Sequence, residues 1–381
     1  MENFRIENPT VVHFGKDVII NLARTIGPIG KRVLLVYGKG SIKKNGIYDA
    51  VMEQLKAMNA EVAEFEGIKS NPIIEDVEAA AELGRKFQPD VILAVGGGSV
   101  IDSAKIIALT IPVDFSGWKF MADKAMARKA VPLIAVLTLA ATGTEMNQFA
   151  VVQNHATRQK LGYGNRLIYP RHSFLDPQYT YSVPRNYTAY GISDLTAHAL
   201  ENYFGKGEAN LSDKFVYSII HEAMEIGPKL LNDLNNYDYR ARIMYAATSA
   251  LNGLTAYGRV SGDWGVHDLG HVLSLLYDIP HGATLSVVYP AWMKRMKERI
   301  PGRIAELGKN LFGAVSADET IQSFEKYLQE IESPVRMSEI GIGEEKRNEI
   351  LETMYNCKVN GSHMKLESED VAAIVNFMYH G

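Results

Sequence analysis

Cysteine is almost absent: Cys357 is the only one in the chain. One thiol cannot close an internal disulfide or build a Cys-rich zinc or iron–sulfur centre. A basic excess is also missing. Lys plus Arg is 40 and Asp plus Glu is 44, a formal net charge of −4. Nucleic-acid and anionic-membrane surfaces need such an excess, so neither partner is expected. No run of about 18 apolar residues occurs, which argues against a transmembrane helix. Met1 to Glu7 shows no basic segment followed by an apolar one, so no signal peptide is expected and a cytoplasmic location is the default. Internal repeats and linkers rich in Gly, Ser or Pro are absent too. What remains is an ordinary globular composition, 46% hydrophobic and 22% charged over 381 residues. That length suggests two or three domains, two being the first expectation.

The first half alternates short apolar runs with amphipathic stretches. Arg32–Tyr37, Glu61–Phe65, Asp90–Val95 and Val131–Leu137 read as strands. Residues 44–59, the stretch opened by Pro72, and Ser99–Leu109 read as helices. Strands apolar on both faces that alternate with helices imply a parallel sheet covered on both sides. Beyond Pro184 the spacing becomes helical, over Tyr187–Phe204, Ser212–Leu231, Tyr239–Tyr257, His267–Leu276 and Pro301–Leu311. The expected layout is an α/β domain over residues 1–184 and an all-α domain over residues 185–381.

Gly96-Gly97-Gly98-Ser99 lies between a strand and a helix, with Asp102 on the first helical turn. Glycines let the backbone approach a ligand, and free N–H groups at a helix start favour an anion. The loop reads as a pyrophosphate cradle for a nucleotide; the plainer alternative is a tight turn. Gly38-Lys39-Gly40-Ser41 begins like a dinucleotide fingerprint but has Lys43 where the third glycine belongs. It holds no acid for a ribose 2′-hydroxyl, whereas Ser41, Lys43 and Lys44 would neutralise a 2′-phosphate. The alternative is a solvated turn with surface lysines. Thr138 to Glu145 closes a further strand with a hydroxyl-rich loop, including Thr142, where open α/β sheets bind ligands. Such loops are also common without a ligand.

Ten histidines are present, and five of them fall between residues 198 and 281. Asp194 and His198 have i, i+4 spacing on an expected helix, and so do His267 and His271. Such pairs project from one helix face, as a metal clamp requires. His281 follows Pro280 near an expected helix start. Imidazole with carboxylate suits a divalent ion such as Fe²⁺, Zn²⁺, Mn²⁺ or Ni²⁺. Spacing does not choose the ligands among Asp194, His198, His267, His271 and His281. His221 has no partner at such spacing and reads as an ordinary helix residue.

At these residues the sequence resembles the iron-containing (group III) alcohol dehydrogenase family, and its butanol-dehydrogenase-like branch in particular. The resemblance runs from Asn8–Gly15 through Gly96–Asp102, Thr142–Glu145, Asp194-x-x-x-His198 and His267-x-x-x-His271 to Pro280-His-Gly282. It implies a Rossmann-like dinucleotide-binding domain, an all-helical metal-binding domain and a homodimer. It implies reversible hydride transfer between NAD(P)H and an aldehyde, giving a primary alcohol. The implied metal ligands are Asp194, His198, His267 and His281, holding Fe²⁺ or Zn²⁺, which leaves His271 near the nicotinamide. One helical turn from an implied ligand, His271 reads as a proton relay, with packing or the orientation of a ligand as the plainer alternative. The implied cofactor contacts are Gly38, Lys39, Gly40, Ser41, Asn71, Gly97, Gly98, Ser99, Asp102, Thr138, Thr142, Asn147 and Lys160. Many family members carry an acid in the loop after the strand that here ends at Tyr37; its absence looks like the NADP-tolerant members. Rival readings are a glycerol-dehydrogenase-like or dehydroquinate-synthase-like relative of the same layout, and a catalytically idle metal- or nucleotide-binding protein.

Overall fold

The apolar runs of the first half fold as strands in a computed structural model that describes residues 1–381. The strands are β1 (Val11–Phe14), β2 (Arg32–Tyr37), β3 (Glu61–Glu66), β4 (Val91–Gly96), β5 (Leu133–Leu137), β6 (Phe149–Asn154), β7 (Gln159–Gly164) and β8 (His172–Leu175). Six of them form one parallel sheet in the order β1-β8-β5-β4-β2-β3. β4 and β5 are buried throughout, as is β2 from Val33 to Tyr37. That pattern belongs to a sheet covered on both faces. β3 is an edge strand, and its residues stay exposed or half-buried. β6 and β7 make a separate antiparallel hairpin.

Helices α1 (Leu22–Ile26), α2 (Ser41–Lys44), α3 (Ile47–Ala57), α4 (Ile74–Phe87), α5 (Gly98–Thr110) and α6 (Trp118–Ala122) alternate with these strands. Leu35 and Tyr37 share a core with Leu22 and Ile26 of α1 and Val51 and Leu55 of α3. Leu34 points the opposite way, towards α4, where a Cβ on Gly84 would stand 3.4 Å from it and 2.4 Å from Ile111. A glycine at position 84 is what lets α4 approach so closely. The chain runs from β2 out to β3, then returns through α4 to β4 on the far side of β2. The strand order therefore reverses between β2 and β4. Doubly wound sheets bind ligands at the carboxyl ends of the strands at such a reversal.

The second half is helical: α7 (Arg185–Tyr203), α8 (Asn210–Asn232), α9 (Tyr237–Ala250), α10 (Gly265–Tyr277), α11 (His281–Met296), α12 (Pro301–Phe312), α13 (Ala317–Glu330), α14 (Arg347–Cys357) and α15 (Ser368–His380). α7 packs against α8, α9 and α11 and is buried on every side from Gly191 to Tyr203. A helix apolar or enclosed all round sits at the centre of its bundle. Any polar side chain on it needs an internal partner. The helix expected to run to Tyr257 stops at Ala250. Gly253 adopts a left-handed φ of 105°, and the Asn252 side chain accepts from the Leu254 N–H at 3.0 Å. Apolar spacing continues through this turn, which is why the sequence reads as helix.

The chain divides into two compact units, Glu7–Val183 and Pro184–Gly381, and Met1–Ile6 joins the second. The expected division kept residues 1–184 together, and the first six residues depart from it. The Glu2 N–H donates to the Gly258 carbonyl at 2.9 Å, and Phe4 stacks on Tyr257 with ring centroids 5.6 Å apart. No helix is long and apolar enough to cross a membrane.

Candidate functional site

In the α/β unit β4 ends at Gly96 and α5 begins at Gly98, with Gly97 as the only residue between them. Gly98 has no room for a side chain, because a Cβ would lie 2.7 Å from Thr142 Oγ1 and Cγ2. The Thr138 N–H donates to the Gly96 carbonyl at 3.0 Å, so the segments after β4 and β5 are tied together. The Ser99 hydroxyl donates to the Ser70 carbonyl, which brings Asn71 towards the same end of the sheet. Lys160 Nζ donates to Asn71 Oδ1 at 2.9 Å. Asp102 accepts from the Thr144 hydroxyl at 2.6 Å and the Val151 N–H at 2.9 Å. Burial raises the Asp102 carboxyl above its ordinary pKa, with the Lys105 charge opposing. The buried Asn147 amide donates to the Gly143 carbonyl at 2.9 Å. Gly97, Gly98, Ser99, Asp102, Thr138, Thr142 and Asn147 thus meet around the adjacent ends of β4 and β5.

Sequence reasoning missed Lys105, which is fully buried. Its Nζ donates to Thr144 Oγ1 at 2.7 Å, the Asn147 carbonyl at 2.9 Å and the Phe149 carbonyl at 2.7 Å. Burial lowers its pKa to about 8. The available signal was its place three residues after Asp102, on the same face of an apolar helix.

Gly38, Lys39, Gly40 and Ser41 follow β2, on the other side of the reversal. Gly40 has a left-handed φ of 84° and caps the start of α2. Lys39, Ser41 and Lys44 are exposed. Lys43 departs from the expectation that it awaits a phosphate. Its Nζ lies 2.8 Å from Glu66 Oε2, at the end of β3, and over the Tyr37 ring.

In the helical unit α7 presents Asp194 and His198 one turn apart, α10 presents His267 and His271, and His281 opens α11 after Pro280. Ligand atoms of Asp194, His267 and His281 lie within 4.8 Å of one another. His198 Nδ1 is 3.5 Å from Asp194 Oδ1, and His281 Nε2 is 3.9 Å from the same oxygen. The His198 and His267 rings are 4.8 Å apart. Burial pushes the His198 imidazole well below its ordinary pKa and keeps it neutral. His271 lies closer to His281, at 5.2 Å between ring centroids, than to His267 at 6.3 Å. His221 is exposed on α8, apart from this group.

Glu201 is the second residue that sequence reasoning missed, although it falls on the same face of α7 as Asp194 and His198. It is buried. Its Oε1 accepts from the His267 backbone N–H at 3.0 Å and lies 2.9 Å from His267 Nδ1. Its Oε2 accepts from the Trp264 N–H at 2.7 Å. Trp264 holds a left-handed φ of 68°, uncommon for a bulky residue, where this carboxylate clasps the start of α10. With Nδ1–H directed at Glu201, the lone pair of His267 sits on Nε2. That nitrogen is buried and has no hydrogen-bond partner. An acceptor buried in this way costs free energy that a divalent cation would remove. A carboxylate behind an imidazole is also the usual support of a histidine metal ligand. Imidazoles and a carboxylate converging here fit Fe²⁺ or Zn²⁺.

Comparison with known proteins agrees with both halves of this picture. Residues 9–177 match the family described as iron-containing alcohol dehydrogenase, and residues 188–379 match the Fe-containing alcohol dehydrogenase family, C-terminal. The chain is 40% identical to the probable NADH-dependent butanol dehydrogenase 2 of Bacillus subtilis, covering 98% of this chain and 99% of that protein. It is 36% identical to an NADPH-dependent aldehyde reductase of Escherichia coli, over 90% of each chain. The crystal structure of the NADH-dependent butanol dehydrogenase A of Thermotoga maritima superposes with a TM-score of 0.96 at 37% identity, covering 100% of this chain and 99% of that one. The chain therefore belongs to the iron-containing alcohol dehydrogenase family.

Proposed function

We propose that this protein is a metal-dependent alcohol dehydrogenase and aldehyde reductase, transferring hydride reversibly between NAD(P)H and a small aldehyde to give a primary alcohol. The observation that carries the reading is the buried His267 Nε2, orphaned within a cluster of Asp194 and three further histidines. Asp194, His198, His267 and His281 would hold one divalent ion, Fe²⁺ or Zn²⁺. When bound, the ion supplies a Lewis acid for the carbonyl oxygen and NAD(P)H supplies the hydride. Glu201 orients the His267 ring and fixes which nitrogen bears the proton. The N–H groups of Gly97, Gly98 and Ser99, at the start of α5, receive the dinucleotide pyrophosphate. Asp102, Thr138, Thr142, Asn147, Asn71 and Lys160 position the rest of the cofactor, together with Gly38, Lys39, Gly40 and Ser41. His271 is the group proposed to pass a proton, since its ring neighbours His281.

The butanol and aldehyde in the relatives' names make short aliphatic aldehydes the first substrates to try. An aldehyde panel assayed with NADH and NADPH, with and without added Fe²⁺ or Zn²⁺, tests the reading. The expected result is oxidation of reduced cofactor matching aldehyde loss and dependent on metal. No net consumption of cofactor with any aldehyde would remove the dehydrogenase reading and favour a lyase or an idle binding protein. A homodimer is part of the same proposal, resting on the family resemblance. Sedimentation should then give twice the 42.2 kDa chain mass.

A further inference from the structure

NADH and NADPH differ at the adenosine ribose, where NADPH carries a 2′-phosphate. Doubly wound folds discriminate the two beyond the strand that precedes the ribose, where an acid accepts from the 2′-hydroxyl. Gly38 to Ser41, in that place, contain no acid. The neighbouring strand supplies one. Glu66 is the last residue of β3 and pairs in register with Tyr37, the last residue of β2. The Gly67 N–H donates to the Tyr37 carbonyl at 3.1 Å and the Gly38 carbonyl at 3.3 Å, which fixes the end of β3 against the loop. Glu66 Oε1 lies so near Gly40 that a Cβ there would stand 3.2 Å from it.

The surroundings of Glu66 decide how its charge is seen. Glu66 Oε2 accepts from Lys43 Nζ at 2.8 Å and from the Tyr37 hydroxyl at 3.3 Å. Lys43 also lies over the Tyr37 and Tyr48 rings, 5.0 and 5.3 Å from their centroids. Glu64 stands beside it on β3 and accepts from the Tyr37 hydroxyl at 2.8 Å and the Tyr48 hydroxyl at 2.9 Å. The end of β3 therefore sets two carboxylates against the one ammonium that contacts them. Lys39 and Lys44 are the other charged groups of the loop, and both are exposed. The hydrogen bond from Lys43 holds the Glu66 carboxyl below its ordinary pKa, so it is ionised at neutral pH.

We propose that Glu66 is the specificity-determining residue for the adenosine 2′-position. Its carboxylate, presented beside Gly40, opposes a 2′-phosphate and accepts from a 2′-hydroxyl, and its pairing with Lys43 withholds that cation from the phosphate. The absence of an acid from Gly38–Ser41 is then compensated from β3, a residue 23 positions beyond Lys43 in sequence. The inference rests on the NAD(P)H reading above.

Glu66→Gln tests it, because the side chain is half-exposed and the amide keeps its shape. NADH and NADPH are titrated into native and variant chains by cofactor fluorescence, without aldehyde. The ratio of Kd for NADPH to Kd for NADH should fall roughly tenfold in the variant, and the fall should shrink as salt is raised. Adenosine 2′,5′-bisphosphate should gain affinity in the same variant, and ADP should gain less. A ratio that stays within about twofold of native, or moves towards NADH, overturns the proposal. If neither dinucleotide binds the native chain, the dehydrogenase reading itself fails and this inference falls with it.

Discussion

The two candidate sites treat their buried polar groups in opposite ways. At the strand ends of the α/β unit the polar side chains already have protein partners. Asp102 accepts from Thr144 and Val151, and Asn147 is held by Gly143 and Lys105. Glycine clearance and backbone N–H groups are what remain to meet a ligand. In the helical unit, side chains from three helices converge, and His267 Nε2 has no protein partner at all. One site offers a surface shaped by backbone; the other offers imidazole and carboxylate atoms gathered around a buried His267 Nε2 that a cation would satisfy. Damage to the first should show in cofactor binding and damage to the second in metal content, and each should leave the other readout intact.

The largest effect should come from His267→Ala. Loss of a ligand exceeds loss of its support, so metal affinity should fall by more than about a hundredfold and aldehyde turnover should drop to background. Metal analysis after gel filtration checks this, and cofactor fluorescence should still report NAD(P)H binding. Full metal content in this variant would break the contrast between the units. Glu201→Gln should come next, weakening metal affinity roughly 10- to 100-fold by loosening the hold on His267 Nδ1. Competition against a chelator reads that shift, and a native titration curve would show that Glu201 serves only the turn at Trp264.

Lys105→Met should act in the other unit with a smaller effect. It leaves the Asn147 and Phe149 carbonyls without their donor, at a cost of about 1–3 kcal/mol in stability. The pH dependence should change as well. Burial lowers the Lys105 pKa from 10.5 to about 8, so the unfolded chain holds a proton that the folded chain has released. Native stability therefore gains with pH between about 8 and 10, and the variant should lack that gain. Denaturant titrations across this window compare the two. Cofactor KM should rise while metal content stays native; parallel loss of metal would contradict the division of labour.

Much of the scaffold was legible because it rests on local pattern. β2, β4, β5 and α5 follow from apolar runs broken by Gly38, the triple glycine and Thr138. Asp194 and His198 were legible because helix periodicity alone puts them on one face. The short edge strand β1 and its partner β8 were not: four residues carry too little periodicity to announce a strand. α11 was read only at its start, at Pro280-His281. Glu201 and Lys105 are single ionisable residues whose roles appear only once burial is known. The pairing of Lys43 with Glu66 depends on β2 and β3 lying side by side, a long-range fact that no local window contains. The docking of Met1–Ile6 beside Gly258 is of the same kind.

The most direct test is to strip the native protein with a chelator, confirm that it is folded and metal-free, and add Fe²⁺ or Zn²⁺ in measured steps while following NAD(P)H oxidation by an aldehyde. Activity should be absent at the start and should rise to a plateau at one ion per chain. Full turnover in the metal-free protein would contradict the assignment of Asp194, His198, His267 and His281 as the metal centre of an aldehyde reductase.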